Sequence, residues 1–132
     1  MPDLPTLAEP RLKFFADLRV EVGAPQQVGQ TVHGLRRLIP IIGGHATGDG
    51  WQARVLAGGA DFQLIVSDTL AELDARYTLE TDAGDLVYVQ NRALRSGPPE
   101  LMAQLARGEL VDPALIYFRC SPQFETASPT LR

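Results

Sequence analysis

The chain has a single cysteine, Cys120, among its 132 residues, so no disulfide can form within it. A reducing, cytoplasmic setting is the natural expectation for such a composition. No apolar run approaches the roughly 20 residues that cross a bilayer. The start, "MPDLPTLAEPRLK", holds three prolines and two acids before Lys13 and lacks the basic opening and apolar middle of a signal peptide. No block of lysine and arginine is present, and the formal net charge is −4. That excludes nucleic acid, whose binding is dominated by neutralised phosphates, and an anionic membrane surface. Metal-ligand spacing is missing too. His33 and His45 lie in glycine-flanked loops with no acid at ligand spacing, so no metal is expected. The glycines of "GGHATGDG" run into Trp51 rather than the Lys-Ser/Thr of a phosphate loop, and no Gly-x-Ser-x-Gly elbow presents a serine. No cofactor is expected.

What is present is ordinary globular composition, 45% hydrophobic and 21% charged. A chain this long buries roughly 65–70% of its unfolded surface. One domain over residues 12–126 is expected, with a loose leader over 1–11 and a tail over 127–132. In "RLKFFADLRVEV" apolar residues fall at every second place from Leu12 to Val22, the period of a half-buried strand. "GLRRLIPIIGG" is strand-like but crossed by Pro40, which suits an edge or a bend. "GDGWQARVL" and "GGADFQLIVS" read as two strands joined at Gly58–Gly59. "SGPPELMAQLARGE" predicts the one helix, with prolines in the first turn, Glu100 at the positive end of the dipole, and Gly108 ending it. Leu110 is then placed for the apolar contact of a Schellman ending. "ALIYFRC" predicts a last strand. The fold class is all-β, mainly antiparallel, with one short helix.

The richest stretch is "ELDARYTLETDAGDLVYVQNR". A turn at Asp82–Asp85 makes it a hairpin, and a two- or four-residue loop opposes Tyr77 to Gln90, Arg76 to Asn91, Leu79 to Tyr88 and Thr78 to Val89. One face then gathers Asp74, Arg76, Thr78, Glu80, Val87, Val89 and Asn91. Valines are an odd choice for a fully wet face, and Asp61 and Gln63 repeat the polar alternation. A barrel with a polar lumen accounts for both.

Five segments, "GLRRLIPIIGG", "VLAGGADFQLI", "LDARYTLETDAGDLVYVQNR", "SGPPELMAQLARGE" and "YFRCSPQFET", together resemble a bacterial family known as domain of unknown function 3237, or uncharacterised protein family 0311. They run in the family's order from about Gly34 to Thr126. The resemblance implies a small calycin-like or cyclase-like β-barrel with a central cavity and no agreed activity. Phe62 stands where the family usually has tryptophan, Gln90 often replaces a basic residue and Ser121 a threonine. The family's closing C-terminal strands are also missing, which predicts a barrel open on one side and a homo-oligomer.

Within such a cavity, Asp74 and Arg76 are the expected catalytic pair, about 7 Å apart along one strand. The arginine fork would hold a carboxylate or enolate, and a partly desolvated aspartate would move a proton. Asn91 would add an oxyanion donor. Asp61, Gln63 and Arg119 would orient the ligand, with Arg36 at the mouth. The expected function is a small-molecule-binding barrel acting as a cofactor-independent isomerase, hydratase, dehydratase or cyclase on a small oxygenated acid or aromatic-derived metabolite. The alternatives are a non-catalytic ligand-binding protein using the same cavity, and a structural or assembly module without a pocket.

Overall fold

Alternating apolar and polar residues are answered by strands along most of the chain. A computed structural model describes residues 2–131. Its strands are β1 (Ala16–Val22), β2 (Gln26–Thr31), β3 (Gly34–Gly48), β4 (Trp51–Val55), β5 (Gly59–Ser67), β6 (Leu70–Thr81), β7 (Leu86–Ser96) and β8 (Tyr117–Thr126), with helix α1 (Pro99–Ala106) between the last two. Every pairing is antiparallel. Strands β4 and β5 both lie between β3 and β6, and the sheet curls into a barrel. Strand β7 extends β6, and β8 extends β7.

Two expectations about strands need correction. The segment crossed by Pro40 is no edge: β3 has β5 on one side and β1 and β2 on the other. Pro40 is tolerated because it stands at the break between β1 and β2, where its carbonyl accepts from the Gly23 N–H at 2.8 Å. Strands β4 and β5 do not fold back on each other at Gly58–Gly59. Both run antiparallel to β3, end to end in the slot between β3 and β6.

The central hairpin forms, with a register one residue away from the expected one. Thr81–Asp85 separates the last pair, Glu80 with Leu86, and Gly84 takes the left-handed conformation at φ 87°. An odd-length loop pairs odd residues with odd: Tyr77 with Val89, Leu79 with Val87, Ala75 with Asn91. A one-residue slip moves a whole set of side chains to the other face. Val87, Val89 and Asn91 therefore join Tyr77 and Leu79, while Asp74 and Arg76 share their face with Tyr88, Gln90 and Arg92. The valines on a polar face are thereby explained: they are not on it.

The barrel interior holds Val89 (0% exposed), Leu79 (1%) and Tyr77 (6%), packed with Ile41, Ala46, Ala53 and Val55. At the other end of the same face Ala71 and Leu73 pack against Met102 of α1. The helix thus covers one end of the barrel. It ends as a Schellman motif, with the Gly108 N–H donating to the Leu105 carbonyl and the Glu109 N–H to that of Gln104. The apolar contact expected from Leu110 is not made; that side chain is 99% exposed.

Among the described residues β8 pairs with β7 alone, and every residue of it from Tyr117 to Glu125 is exposed. No described helix is long and apolar enough to cross a membrane.

Candidate functional site

Interior positions of β3, β5 and β7 are not all apolar. Arg37 shares the inward face with Ile39 and Ile41 and is only 6% exposed. Its cross-strand partner is Gln63, 2% exposed, and the next pair along is Ile39 with Asp61. Across β6 the same rows continue through Leu73 to Ala93 and through Ala75 to Asn91. Arg95 follows Ala93 on the same face of β7. The inward face therefore carries two arginines, one aspartate and two amides around the short side chains of Ala75 and Ala93. Asp61 and Asn91 stand two strands apart, roughly 10 Å.

Some of these groups are well held. Gln63 Nε2 donates to Asp61 Oδ2 at 2.7 Å. Arg37 donates through an NH₂ nitrogen to the Ala106 carbonyl at 3.1 Å, at the C-terminal end of α1, where a cation complements the helix dipole. Yet five buried atoms in this one cluster have no partner: Arg37 Nε, Arg95 Nε, Asp61 Oδ1, Gln63 Oε1 and Asn91 Oδ1. Leaving a buried polar atom unsatisfied costs about 1–3 kcal/mol. A fold that concentrates such atoms in one place carries an unmet demand for a polar partner.

Electrostatics in the cluster follow from burial. Burial pushes the Asp61 carboxyl above its ordinary value of 3.8, opposed by the hydrogen bond from Gln63 and the charge of Arg95. Burial likewise lowers the Arg95 guanidinium, which Asp61 partly offsets and Arg37 reinforces. The Tyr77 phenol is pushed up, again mainly by burial. Because the folded state holds the Asp61 proton more tightly than the unfolded chain, Asp61 makes stability fall as pH rises from its unfolded value through its folded one. The difference in urea midpoint between the native chain and Asp61→Asn, measured across that window, should shift in favour of the variant as pH rises.

The residues singled out from the sequence divide between two faces. Asp61, Gln63 and Asn91 come together inside. Asp74, Arg76, Arg36 and Arg119 lie on the opposite, outward face. Asp74 accepts from Arg76 at 3.1 Å and from Gln90 Nε2 at 3.4 Å, and the Arg76 side chain is 49% exposed. Asp74, Arg76 and Asn91 therefore do not share a hollow. Arg36, Asp74 and Arg119 line an outer trough of about 530 Å³, together with Arg92. Arg37 and Arg95 were missed, although a signal existed. Arg37 has Leu35 and Ile39 two places away on either side, and Arg95 follows Val87, Val89 and Ala93 at the same parity. An arginine in an apolar row marks an inward charge.

A family model described as "Protein of unknown function (DUF3237)" matches residues 10–132. The chain belongs to the DUF3237 family. A UPF0311 protein of Rhodopseudomonas palustris is 47% identical over 117 residues, covering 89% of this chain and 76% of that protein. One from Clostridium acetobutylicum is 38% identical over 128 residues, covering 96% of this chain and 81% of its own. Among solved structures, a conserved R. palustris protein of unknown function superposes with TM-score 0.83 at 45% identity, covering 93% of this chain and 81% of that one. A structure described as a β-barrel like protein from Acinetobacter baumannii gives TM-score 0.71 at 40% identity, over 92% and 80% of the two chains. The fold is thus shared with these solved structures, one of which is described as β-barrel like.

Proposed function

We propose that the barrel binds a small hydroxylated carboxylic acid in its interior, and that Asp61 transfers a proton to or from it. The five unpartnered atoms carry this reading, because they describe a ligand by its complement. Two are arginine N–H donors, which call for the oxygens of a carboxylate or enolate. Three are acceptor oxygens, which call for hydroxyl donors. Charge agrees: two guanidiniums against one carboxylate leave a positive balance inside, suited to a monoanion.

The chemistry follows from position. A carboxyl held above its ordinary range by burial exchanges its proton closer to neutral pH. Arg37 and Arg95 would stabilise negative charge developing on the ligand's carboxylate as a C–H beside it is lost. Asn91, across Ala75 from Asp61, would fix a hydroxyl. The reaction class is isomerisation, hydration or dehydration, or cyclisation of a small oxygenated acid.

The test uses a panel of hydroxy acids beside the same acids lacking the hydroxyl. Calorimetry should show the hydroxylated members binding more tightly, and Arg95→Met should weaken them about 10- to 100-fold, the scale of a lost charge-assisted bond. Deuterium exchange at the carbon beside the carboxylate, followed by NMR, should vanish in Asp61→Asn. Equal affinity of native protein and Arg95→Met across the panel would sink the site. Binding without exchange would leave the binding site standing and remove the proton transfer.

A further inference from the structure

We infer a second, outward-facing site for a molecule with an oxyanionic head on an apolar body, in the trough across β3, β5, β6, β7 and β8. It uses the face opposite the proposed interior site and does not depend on it. The register lays the trough out in two rows. One runs Arg36, Leu64, Glu72, Leu94, Arg119, and the other Leu38, Phe62, Asp74, Arg92, Ser121. Arg92 and Ser121 are direct cross-strand neighbours, about 5 Å apart at Cβ, and Arg119 is two residues along from Ser121 on the same face. Arg92 and Ser121 thus stand side by side in the trough, with the Arg119 guanidinium further along the same wall toward Tyr117, so that a phosphate or carboxylate between them would find donors on two sides.

These cations are available. None of the four ion pairs among the described residues uses Arg36, Arg92 or Arg119. Asp74, directly opposite Arg92 across the β6–β7 ladder, is already engaged by Arg76 and Gln90. That leaves Glu72 as the one uncommitted carboxylate facing three guanidiniums, on a chain whose net charge is −4. Arg119 is also pre-set: it lies 5.3 Å over the Tyr117 ring and donates to the Phe118 carbonyl at 2.8 Å. Beyond the head, Leu94 (46% exposed) and Phe62 (43%) offer apolar surface left open to water. Such a floor with a cationic end recognises an aryl or acyl oxyanion and discriminates against bare phosphate.

Phenyl phosphate, benzoate, phenol and inorganic phosphate are the probes, titrated into labelled protein with backbone amides read by NMR. Phenyl phosphate should shift amides near Phe62, Arg92 and Ser121, with an affinity that falls as salt rises. Phenol and inorganic phosphate, each carrying half of the recognised chemistry, should bind at least tenfold more weakly. Benzoate falling with phenyl phosphate or far below it tells a carboxylate site from a phosphate one. Arg92→Ala and Arg119→Ala should each lower phenyl phosphate affinity about tenfold at unchanged melting temperature, whereas Asp61→Asn should leave it alone. Shifts absent at millimolar phenyl phosphate, or shifts that persist unchanged in both arginine variants, would overturn the inference. So would a dimer in solution that Arg92→Glu dissociates, since the trough would then be covered by a second copy.

Discussion

Gly44→Ala is expected to cost about 3–5 kcal/mol, lowering the melting temperature by roughly 12–20 °C. Two effects add at that position. Its φ is +129°, a region that side-chain-bearing residues rarely adopt, and a Cβ there would run into the Arg19 carbonyl oxygen and come within 3.0 Å of Val20 Cα. Those atoms belong to the paired strand β1, with Val20 directly opposite Gly44, so nothing soft can give way. Gly44 also marks the corner of the barrel. Before it β3 pairs with β5, and just after it with β4. Losing the corner should disturb the β3–β5 ladder that sets Arg37 beside Gln63, so ligand binding should fall together with stability. Gly50→Ala is the control: its φ is +79°, but a Cβ meets nothing within 4 Å. It should cost the backbone strain alone, about 1–2 kcal/mol.

Leu79→Ala is expected to cost about 2–5 kcal/mol by leaving a cavity in the apolar interior. The side chain is 1% exposed, pairs across the hairpin with Val87 and packs in one cluster with Val55, Tyr77 and Val89. It lies toward the end of the barrel away from α1, where a larger hollow of about 740 Å³ opens between Trp51, Phe124 and the hairpin loop. Arg37, by contrast, is tied to that helix. Chemical denaturation should therefore show a lower midpoint, while hydroxy-acid affinity of the folded fraction stays within about threefold of native, below the tenfold that a 1.4 kcal/mol loss would give. A parallel collapse of affinity would mean that the two ends of the interior are mechanically one unit.

Much of this architecture was legible because period two is a local signal. The hairpin around Gly84, the strand run from Trp51 to Ser67 and the helix at Pro98–Pro99 were each visible from a handful of neighbouring residues. What failed was parity. Whether the turn after Glu80 holds an even or an odd number of residues is decided by Gly84's left-handed geometry and the Thr81–Asp85 contacts, which composition does not specify. That single uncertainty turned Asp74 and Arg76 inward, whereas the inward arginines are marked by the apolar rows of their own strands, Leu35–Arg37–Ile39 and Val89 to Arg95. Asp61 and Gln63 survived because their assignment rested on β5 alone. The pairing of β4 and β5 in one slot was equally hidden, since long-range register leaves no mark on either segment by itself.

Among the described residues β8 leaves one flank unpaired, and its sequence bears on how such a flank behaves in a crowded solution. Its ladder with β7 runs through Pro122, opposite Asn91, without a shift in register. The missing N–H is therefore one that points to the open side rather than toward β7. A neighbour approaching to zip itself onto that flank meets a gap in the row of donors halfway along. The same proline that leaves the inner ladder undisturbed thus acts as a guard against runaway sheet growth, and Pro122→Val should make the protein more prone to form fibres on heating.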